Sequence, residues 1–525
     1  MEELIIRGGT VYDGTGAPGK KADVAVRGGR VSAVGDLQYL NADRVLDASG
    51  LAVAPGFIDA HAHSDTSFLR DSSYASKLYQ GITTEISGNC GSSPFPGPAK
   101  GGEEENGWQC RSFDGFVERF QRENQAMAVN QAMLVGHGDL RAAVIGMEDR
   151  PPTPQELDTM CSLLRRDLRA GAWGLSLGLE YAPGFFAQKE ELTALGRVVK
   201  EFDGLLPAHM RSEGLAIDEA IEELLDIGRA TGARVHASHL KLDHFRVHGR
   251  AEQVWARLER ARREGVSVSA DLYPYTASCT TLSIRCPSWS LDGGSEALLR
   301  FLQGPRRQEI VEGIRKHYFN AQGAETCLFS DDGGLWPEII GKNLRQVAED
   351  MLHTADYAQA VADILLRTQG RAWCIFFVMS PEDMLFFLSQ NTAIGSDARA
   401  LPGDPAKVAQ KPHPRAYGAM PEFFRLAREK SLCSLEEAVR RVTALPAAML
   451  RIPDRGYLRP GMAADITVFD PQAFSPRATY ARPIQLAQGV RHVLVNGGVA
   501  LQNGGQTALR AGQFLRKTPM RTPKT

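Results

Sequence analysis

Short apolar runs separated by glycine turns fill the first 54 residues, as in "ELIIRGG", "DVAVRGG" and "RVSAVG". The same pattern returns near the other end, in "ADITVFD" (464–470) and "VRHVLVNGGVAL" (490–501). Such runs are typical of strands and hairpins. Because strand-rich segments at both ends pair most simply with each other, the pattern predicts a small β-sandwich domain built from residues 1–54 and 455–515.

Between these segments, short apolar runs alternate with helical patterns, which indicates βα units and a parallel sheet. The clearest helical patterns cover residues 217–232 and 251–265. The candidate strands are 56–61, 83–87, 132–137, 173–177, 205–209, 234–239, 266–273 and 392–397. Eight strands in this order predict an α/β protein with a (β/α)8 TIM-like barrel over residues 55–454.

A gap of about 120 residues separates the last two candidate strands, which is too long for a structureless loop. It contains the helical stretches "SEALLRFLQG" and "RRQEIVEGIRKHYF". We therefore expect an inserted lid subdomain over residues 285–345, at the mouth of the barrel. The run "AWCIFFVM" (372–379) is either an extra strand or an alternative to the eighth one.

Composition narrows the function classes. The chain has 525 residues and a formal net charge of −2, which predicts no nucleic-acid partner. No run of 18 apolar residues and no apolar leader is present, so we expect no membrane span and no signal peptide. Eight cysteines are scattered over the chain, which favours reduced thiols and a cytoplasmic protein.

Metal-binding residue types fall where the candidate strands end, which is where barrel enzymes carry their chemistry. In "DAHAHSD" two histidines are spaced by two residues, so on an extended segment both point to the same side. Each residue taken singly could have an ordinary structural role, such as that of a hydrogen-bonded core histidine. Their convergence from distant segments favours a metal site. The candidate ligands are His61, His63, Cys90, His209, His239 and Asp397. His137 also ends a strand and is either structural or a neighbour of the ligands.

These segments resemble a known family. "VAPGFIDAHAHSD" and "LRPGMAADITVFD" are similar to signatures of the amidohydrolase superfamily. "TTEISGNCGSSPFP", "ASHLK" and "HPRAYGAMP" resemble its N-acyl-D-amino-acid deacylase (D-aminoacylase) branch more narrowly. The resemblance covers nearly the whole chain.

The resemblance implies one tightly held zinc on Cys90, His209 and His239. It also implies a second, weaker metal position on His61, His63, the shared Cys90 thiolate and Asp397. The strand-four segment "GAWGLSLGLEYAPG" carries no lysine that could be carbamylated to bridge two metals. A thiolate bridge is the consistent alternative, and we expect Glu180 in that segment to be a solvated loop acid.

The residue types fit this assignment. A soft thiolate suits zinc better than magnesium or calcium, and three protein ligands with an open position are typical of a catalytic zinc. Zinc would act as a Lewis acid on the amide carbonyl and on water. Asp397 would serve as general base and then pass its proton to the leaving nitrogen.

The predicted reaction is hydrolysis of N-acyl-D-amino acids to a carboxylate and a free D-amino acid, with the D preference taken from the resemblance. Arg415 is the candidate partner of the substrate α-carboxylate, because guanidinium matches carboxylate geometry. The family suggests Lys241 and Tyr273 as further partners, with Tyr275 as an alternative. Relatives tend to carry serine where this chain has Cys279.

Three other interpretations stay open at this point. The substrate could be a dipeptide with a D-residue, or a cyclic amide such as a hydantoin or dihydroorotate. The absence of a strand-four lysine and the presence of Arg415 disfavour the cyclic amide. A non-catalytic scaffold is the third, and it should have lost ligands that this chain keeps. The sequence does not indicate which oligomeric state the protein has.

Overall fold

A computed structural model describes residues 2–97, 107–317 and 321–518 of the chain. In the described residues the middle of the chain is an α/β structure of eight parallel strands, numbered here in chain order from the first to the eighth. They are Phe57–Asp59, Ile82–Ser87, Asn130–Met133 continued by Val135–Gly136, Leu175–Gly178, Leu205–His209, Arg234–Ala237, Val268–Leu272 and Ala393–Ile394. All eight predicted strands are confirmed, with bounds that differ by at most three residues at either end.

Each strand pairs in parallel with the next one along the chain, from the first to the eighth. Backbone bonds also join the two ends of this series: the Ala60 N–H donates to Ile394 O at 3.1 Å, and the Asp397 N–H donates to His61 O at 2.8 Å. The segments that carry His61 and Asp397 therefore lie side by side although 336 positions separate them in the sequence.

Amphipathic helices cover the strands. The helix Ile217–Thr231 buries Ile221, Leu224 and Leu225 and ends at Gly232, whose φ of 66° needs a glycine-like residue. The predicted helices over 217–232 and 251–265 are thus confirmed, the second as Ala251–Arg263. The other long helices near the sheet are Phe113–Arg122, His137–Val144, Pro154–Arg169, Lys189–Glu201, Pro381–Ser389, Arg415–Glu429, Leu435–Arg441 and Ala444–Leu450. Among the described helices, none is both long and apolar enough to cross a membrane.

Strands from both ends of the chain pair with each other. Ile466–Phe469 runs antiparallel to Ala52–Pro55 and to Val490–Val495. A second sheet contains Arg30–Gly35, Asp23–Arg27, Glu2–Arg7 and Ala42–Asp47 in that order. A shared apolar cluster joins the two sheets, with Leu4 and Val24 from one end of the chain and Ile466 and Leu494 from the other.

The last described segment joins the parallel sheet rather than the terminal strands. Phe514–Leu515 pairs in parallel with Asn130–Met133. The Trp173 indole donates to the Leu515 carbonyl at 2.7 Å, and the Lys517 N–H donates to the Gly171 carbonyl at 2.8 Å. The C-terminal residues therefore fasten the third and fourth strands together at their N-terminal ends.

The long gap between the seventh and eighth strands contains its own sheet. Trp373–Phe376 pairs antiparallel with Ser278–Thr281 and with Cys327–Asp331. The run at 372–379 is therefore an extra strand and not the eighth parallel one. Helices pack on this sheet around a separate apolar cluster that runs from Leu282 to Phe376. They include Gly294–Gln303, Arg307–His317, Ala321–Glu325 and Tyr357–Arg367.

Candidate metal centre

Two histidines follow the first strand and face the same space, as their spacing predicts. His61 is fully buried, and its Nε2 lies 3.3 Å from Cys90 Sγ and 3.7 Å from Asp397 Oδ1. His63 keeps 29% of its side chain exposed, and its Nε2 lies 3.0 Å from Asp397 Oδ1. One thiol and one carboxylate thus meet both imidazoles.

The loop after the second strand brings Cys90 into this space. Cys90 and Gly91 both have positive φ, 53° and 78°. The turn presses against the fourth strand: a Cβ on Gly178 would stand 2.1 Å from the Cys90 carbonyl, so only glycine fits there. This tight packing aims the sulfur at the ends of the other strands.

Cys90 Sγ lies between imidazoles from opposite sides of the sheet series, 3.3 Å from His61 Nε2 and 3.3 Å from His239 Nε2. Burial alone would raise the pKa of the thiol, but the charges on His61 and His239 and hydrogen bonds from His209 and His239 hold it well below its ordinary value. These contacts favour the thiolate, which is the form that binds metal.

His209 and His239 come from the ends of the fifth and sixth strands. Both are buried, and His209 Nδ1 lies 3.0 Å from His239 Nε2. Cys90, His209 and His239 each offer a ligand atom, and these atoms lie within 4.8 Å of one another. His239 has a φ of 37°, so a backbone bend after the sixth strand turns its ring inward.

Asp397 completes the cluster from the loop after the eighth strand. One oxygen faces the histidines, and the other, Oδ2, lies 2.9 Å from Arg415 Nη1. Burial would raise the pKa of Asp397, but Arg415, the hydrogen bond from His63 and the charges on His239 and His61 hold it well below its ordinary value. The carboxylate is therefore ionised at neutral pH.

The donors meet the requirements of zinc. One thiolate, imidazole nitrogens and a carboxylate are the ligand types that zinc takes. A group of His209 with Glu180 and Glu213 also has ligand atoms within 4.8 Å of one another. Besides the Cys90, His209 and His239 group, the six candidate ligands form two more such groups among themselves. These are His61 with His63 and Cys90, and His61 with His239 and Asp397. Cys90 belongs to groups on both sides, as a bridging ligand would.

Two buried carboxylates that the sequence analysis missed orient these histidines. Glu213 Oε1 lies 3.0 Å from His239 Nδ1. Asp271 accepts the His239 backbone N–H at 2.7 Å and lies 3.4 Å from His61 Nδ1. A carboxylate on the second ring nitrogen fixes the tautomer and orientation of a ligating histidine. The sequence did carry a signal for Asp271, because it is an acid inside the apolar run "VSVSADLY". Acids are rarely buried unless they are paired, so this position indicates a buried partner.

His236, which the sequence analysis did not single out, supports Asp271. Its Nε2 lies 2.6 Å from Asp271 Oδ2, the oxygen that also faces His61. His137 does not reach the cluster through its Nε2, which lies 2.8 Å from Glu191. Its role is therefore in the packing of the helix that it begins, His137–Val144.

The expectation of a solvated Glu180 is wrong. Its Oε2 lies 2.7 Å from His209 Nε2, and only 23% of its side chain is exposed. The adjacent Tyr181 ring packs 4.6 Å from the His209 ring, and its N–H donates to the Gly178 carbonyl at 3.3 Å. This turn folds the segment back over the fifth strand, which the sequence pattern does not show.

The three predicted substrate contacts lie together beside Asp397. Arg415 packs over the Tyr273 ring at 4.4 Å, and Lys241 lies 5.9 Å from the same ring. Lys241 is ion-paired with Glu213 and lies 3.0 Å from His239 Nδ1. Within the part of the chain that the structure describes, the Tyr273 hydroxyl donates to Met379 Sδ at 3.8 Å.

Arg415 is buried yet incompletely bonded. Among the described residues, none hydrogen-bonds its Nε, and its Nη1 meets Asp397 as an ion pair without hydrogen-bond geometry. Cys279 lies near and contacts the Ser330 hydroxyl at 3.7 Å. Buried donors without partners are rare in folded proteins, so these nitrogens are available to an anionic ligand.

Comparisons with known proteins show the family of the chain. The sequence matches the amidohydrolase family over residues 44–275 and 390–500. It is 34% identical over 530 aligned residues to an N-acyl-D-glutamate deacylase of Alcaligenes xylosoxydans xylosoxydans, covering 98% of this chain and 96% of the relative. It is also 34% identical to a D-aminoacylase of the same organism over 525 aligned residues, covering 98% of each.

A solved structure is similar as well. The crystal structure of an N-acyl-D-glutamate deacylase from Bordetella bronchiseptica, complexed with zinc and a phosphonate mimic of the tetrahedral intermediate, has a TM-score of 0.82 and 33% identity. The match covers 98% of this chain and 99% of that one. Because the family match covers more than half of the chain and these relatives match it over nearly its whole length, the chain belongs to the amidohydrolase family.

Proposed function

We propose that this metal-dependent amidohydrolase hydrolyses the amide bond of N-acyl-D-amino acids, giving a carboxylate and a free D-amino acid. The observation that carries the proposal is that the candidate zinc ligands lie next to a buried arginine. A Cys90–His209–His239 cluster suited to zinc is joined through Asp397 to a buried, incompletely bonded Arg415. The first suits an amide carbonyl, and the second suits the free carboxylate of an acyl amino acid.

The proposed tight ligands are Cys90, His209 and His239. A second, weaker position would use His61, His63 and Asp397 with the shared thiolate. Zinc, when bound, supplies a Lewis acid for the amide carbonyl and for the attacking water. The metal sites of its structurally similar relative support zinc as the ion.

Asp397 is the proposed general base. Its carboxylate is ionised, and its Oδ1 already hydrogen-bonds one imidazole, at 3.0 Å from His63 Nε2. An ionised carboxylate at this position can take a proton from water and return it to the leaving nitrogen. The ion pair with Arg415 keeps the group oriented between the metal ligands and the substrate carboxylate.

Arg415, Lys241 and Tyr273 are the proposed partners of the substrate α-carboxylate. Arg415 and Lys241 both lie against the Tyr273 ring, and all three side chains are buried. Burial raises the pKa of Tyr273 to about 12, although Lys241 and Arg415 oppose this, so the hydroxyl stays protonated and can donate. Closing this region around a substrate would strengthen each charged contact by excluding water.

The architecture is also a proposal at its finer level. We infer a (β/α)8 barrel over residues 55–454, supported by the backbone bonds between the first and eighth strands. The apolar cluster shared by both ends of the chain supports the β-sandwich of residues 1–54 and 455–515, except for Phe514–Leu515, which pair with the third strand. The proposed lid of residues 285–345 lies within a larger insert, whose apolar cluster runs from Leu282 to Phe376. A cytoplasmic location stays a prediction.

The test combines metal analysis with a substrate panel. Zinc per chain is measured first, and then hydrolysis of N-acetyl D- and L-amino acids, of dipeptides with a D-residue and of hydantoins. Equal identity to a D-glutamate deacylase and a D-aminoacylase requires both acidic and apolar side chains in the panel. We expect zinc and activity on N-acetyl-D-amino acids. No zinc with no amide hydrolysis would refute the proposal, and faster hydantoin cleavage would favour the cyclic-amide alternative.

A second experiment isolates the carboxylate site. Arg415→Lys keeps the charge but loses the planar pair of donors. We expect KM for N-acetyl-D-amino acids to rise much more than KM for the corresponding N-acetyl-D-amino acid amides, which lack the carboxylate. An equal rise for both substrates would remove the proposed role of Arg415.

A further inference from the structure

Lys77 lies fully buried among the strands that carry half of the candidate metal centre. It belongs to the short helix Ala75–Leu78, which follows the first strand. Its ammonium has four oxygen neighbours from three strand segments, all within 2.9 Å. They are Asp59 Oδ2 at 2.9 Å, Glu85 Oε1 at 2.8 Å, Ser396 Oγ at 2.8 Å and the Ala398 carbonyl at 2.9 Å.

Strand register places the two acids together. Asp59 on the first strand is paired directly with Glu85 on the second. Both side chains are completely buried, so without a cation their charges would repel at close range. Buried charges persist only when they are paired and hydrogen-bonded, and Lys77 meets that need for both carboxylates.

The same network holds the ligand-bearing loops by their backbones. Asp59 Oδ1 accepts the His61 N–H at 3.3 Å and the Ser396 N–H at 2.7 Å. The Ala398 carbonyl, which Lys77 binds, also accepts the His63 N–H at 3.2 Å. Every residue that Lys77 contacts is therefore within two positions of a candidate ligand, or on the strand that leads to Cys90.

His209 and His239 lie outside this network, and the Cys90 turn has a second support because it packs against Gly178 of the fourth strand. The segments of the two histidines follow the fifth and sixth strands, and their carboxylate partners are Glu180, Glu213 and Asp271. Removing the Lys77 ammonium would therefore disturb one side of the cluster and leave the other side supported.

We propose that Lys77 is a positioning residue that sets the separation of His61, His63 and Asp397, and through it the second metal position and the alignment of the base. The inference deepens the proposed function and rests on it. The Cys90–His209–His239 position keeps its affinity for the first zinc ion without Lys77.

Lys77→Met alone leaves two unpaired buried carboxylates and is expected to unfold or misfold much of the protein. The decisive variant is therefore the triple change Lys77→Met, Asp59→Asn, Glu85→Gln. It removes all three charges together, and an asparagine Oδ1 can still accept the His61 and Ser396 N–H groups. What it loses is the ammonium tie to Ser396 and Ala398.

A matched control is the pair Arg141 and Glu191, which is equally buried. Arg141 also donates to the backbone carbonyls of Glu148 and Arg150, and neither these residues nor Glu191 is a candidate ligand. The double change Arg141→Met, Glu191→Gln thus removes a buried ion pair of similar kind from outside the three strand segments.

The readouts separate the two metal positions and the base. Co²⁺ titration of the metal-free protein follows the first ion by its thiolate charge-transfer band and the second by competition with a chelator. Steady-state kinetics with one equivalent of zinc give kcat and KM. For the triple variant we expect an unchanged first ion, a second ion weakened about 10–100-fold and kcat lowered by a similar factor, with KM nearly constant.

The control variant should keep both ions and kcat. A triple variant that matches the control in kcat and in second-ion affinity would overturn the inference while the proposed function stands. A triple variant whose first ion weakens as much as its second would also overturn it. If wild-type protein binds no metal and hydrolyses no amide, the proposed function fails and this inference with it.

Discussion

The two sides of the metal cluster are supported in different ways. On the Lys77 side, formed by the first, second and eighth strands, one ammonium serves two carboxylates and holds His61, His63 and Asp397 through backbone groups. On the Glu213 side, formed by the fifth, sixth and seventh strands, a carboxylate contacts the ring nitrogen of His239 directly. One side therefore orients backbone, and the other orients imidazole rings.

The difference explains why two positions built from similar residues should differ in affinity. A carboxylate on the ring nitrogen raises the basicity of a ligating histidine. On the Lys77 side the nearest equivalent is Asp271 Oδ2, which lies 3.4 Å from His61 but 2.6 Å from the competing His236. This contact supports the proposal that the Glu213 side holds the tighter ion.

The shared residue should give the largest effect. Cys90→Ser removes the only thiolate that both sides contact, and we expect both metal positions to be lost. Loss of a Lewis acid that supplies several kcal/mol lowers kcat/KM by about 10³-fold or more. Metal analysis and kinetics check this, with Cys433→Ser as the control at a partly exposed cysteine outside the cluster. Full zinc retention in Cys90→Ser would show that the ligand assignment is wrong.

A change on the Lys77 side alone should separate metal binding from proton transfer. Asp397→Asn keeps the size of the side chain but removes the base. We expect kcat to fall by about 10²–10⁴-fold, the usual contribution of a general base, while the first zinc ion stays bound. A variant that loses the first ion would place Asp397 among the tight ligands instead.

A change on the Glu213 side should have the converse signature. Glu213→Gln removes the charge from the His239 ring partner and from Lys241. We expect the first zinc ion to bind about 10–100-fold more weakly, as is typical when the partner of a ligating histidine is lost. Chelator competition measures this, and an unchanged first-ion affinity would contradict the role of Glu213.

The smallest effects concern the dependence of stability on pH. The pKa shift of the buried glutamate on one side is opposite in direction to that on the other side. Burial, together with the charge on Asp59, raises the pKa of Glu85 to about 7 despite Lys77. Burial would also raise the pKa of Glu213, but Lys241, His239 and His209 lower it to about 2. An unfolded glutamate titrates near about 4.3.

These shifts define two pH windows for the metal-free protein. Between about pH 4.3 and 7 the folded state keeps the Glu85 proton that the unfolded state has lost, so Glu85 lowers stability as pH rises through this window. Glu213 stabilises the fold above about pH 4.3, and that stability is lost as pH falls toward 2.

Urea unfolding from pH 3 to 8 measures both windows. As pH rises from about 4.3 to 7, the free energy of unfolding of Glu85→Gln should rise relative to that of the wild type. Glu213→Gln should approach the wild type only below about pH 4.3, and the same window for both variants would contradict the comparison.

Much of the site follows from local pattern. Apolar runs that end in His209 or in "DAHAHSD" indicate strands whose last side chains leave the core, and the barrel order brings such ends together. Glu180 shows where this reasoning stops. Its segment reads as a loop, and only the fold of the Gly178–Gly184 turn brings its carboxylate to His209.

By itself, the sequence determined the order of strands and helices and the residue types at the strand ends, because periodicity and turn residues act over a few neighbouring positions. The partners of buried charges were decided only by the tertiary structure. Lys77 meets Ser396 across 319 positions, and Asp59 faces Glu85 through strand register. Such pairings depend on register and strand order, and a charged residue within a strand or short helix carries no local mark of which distant charge it will face.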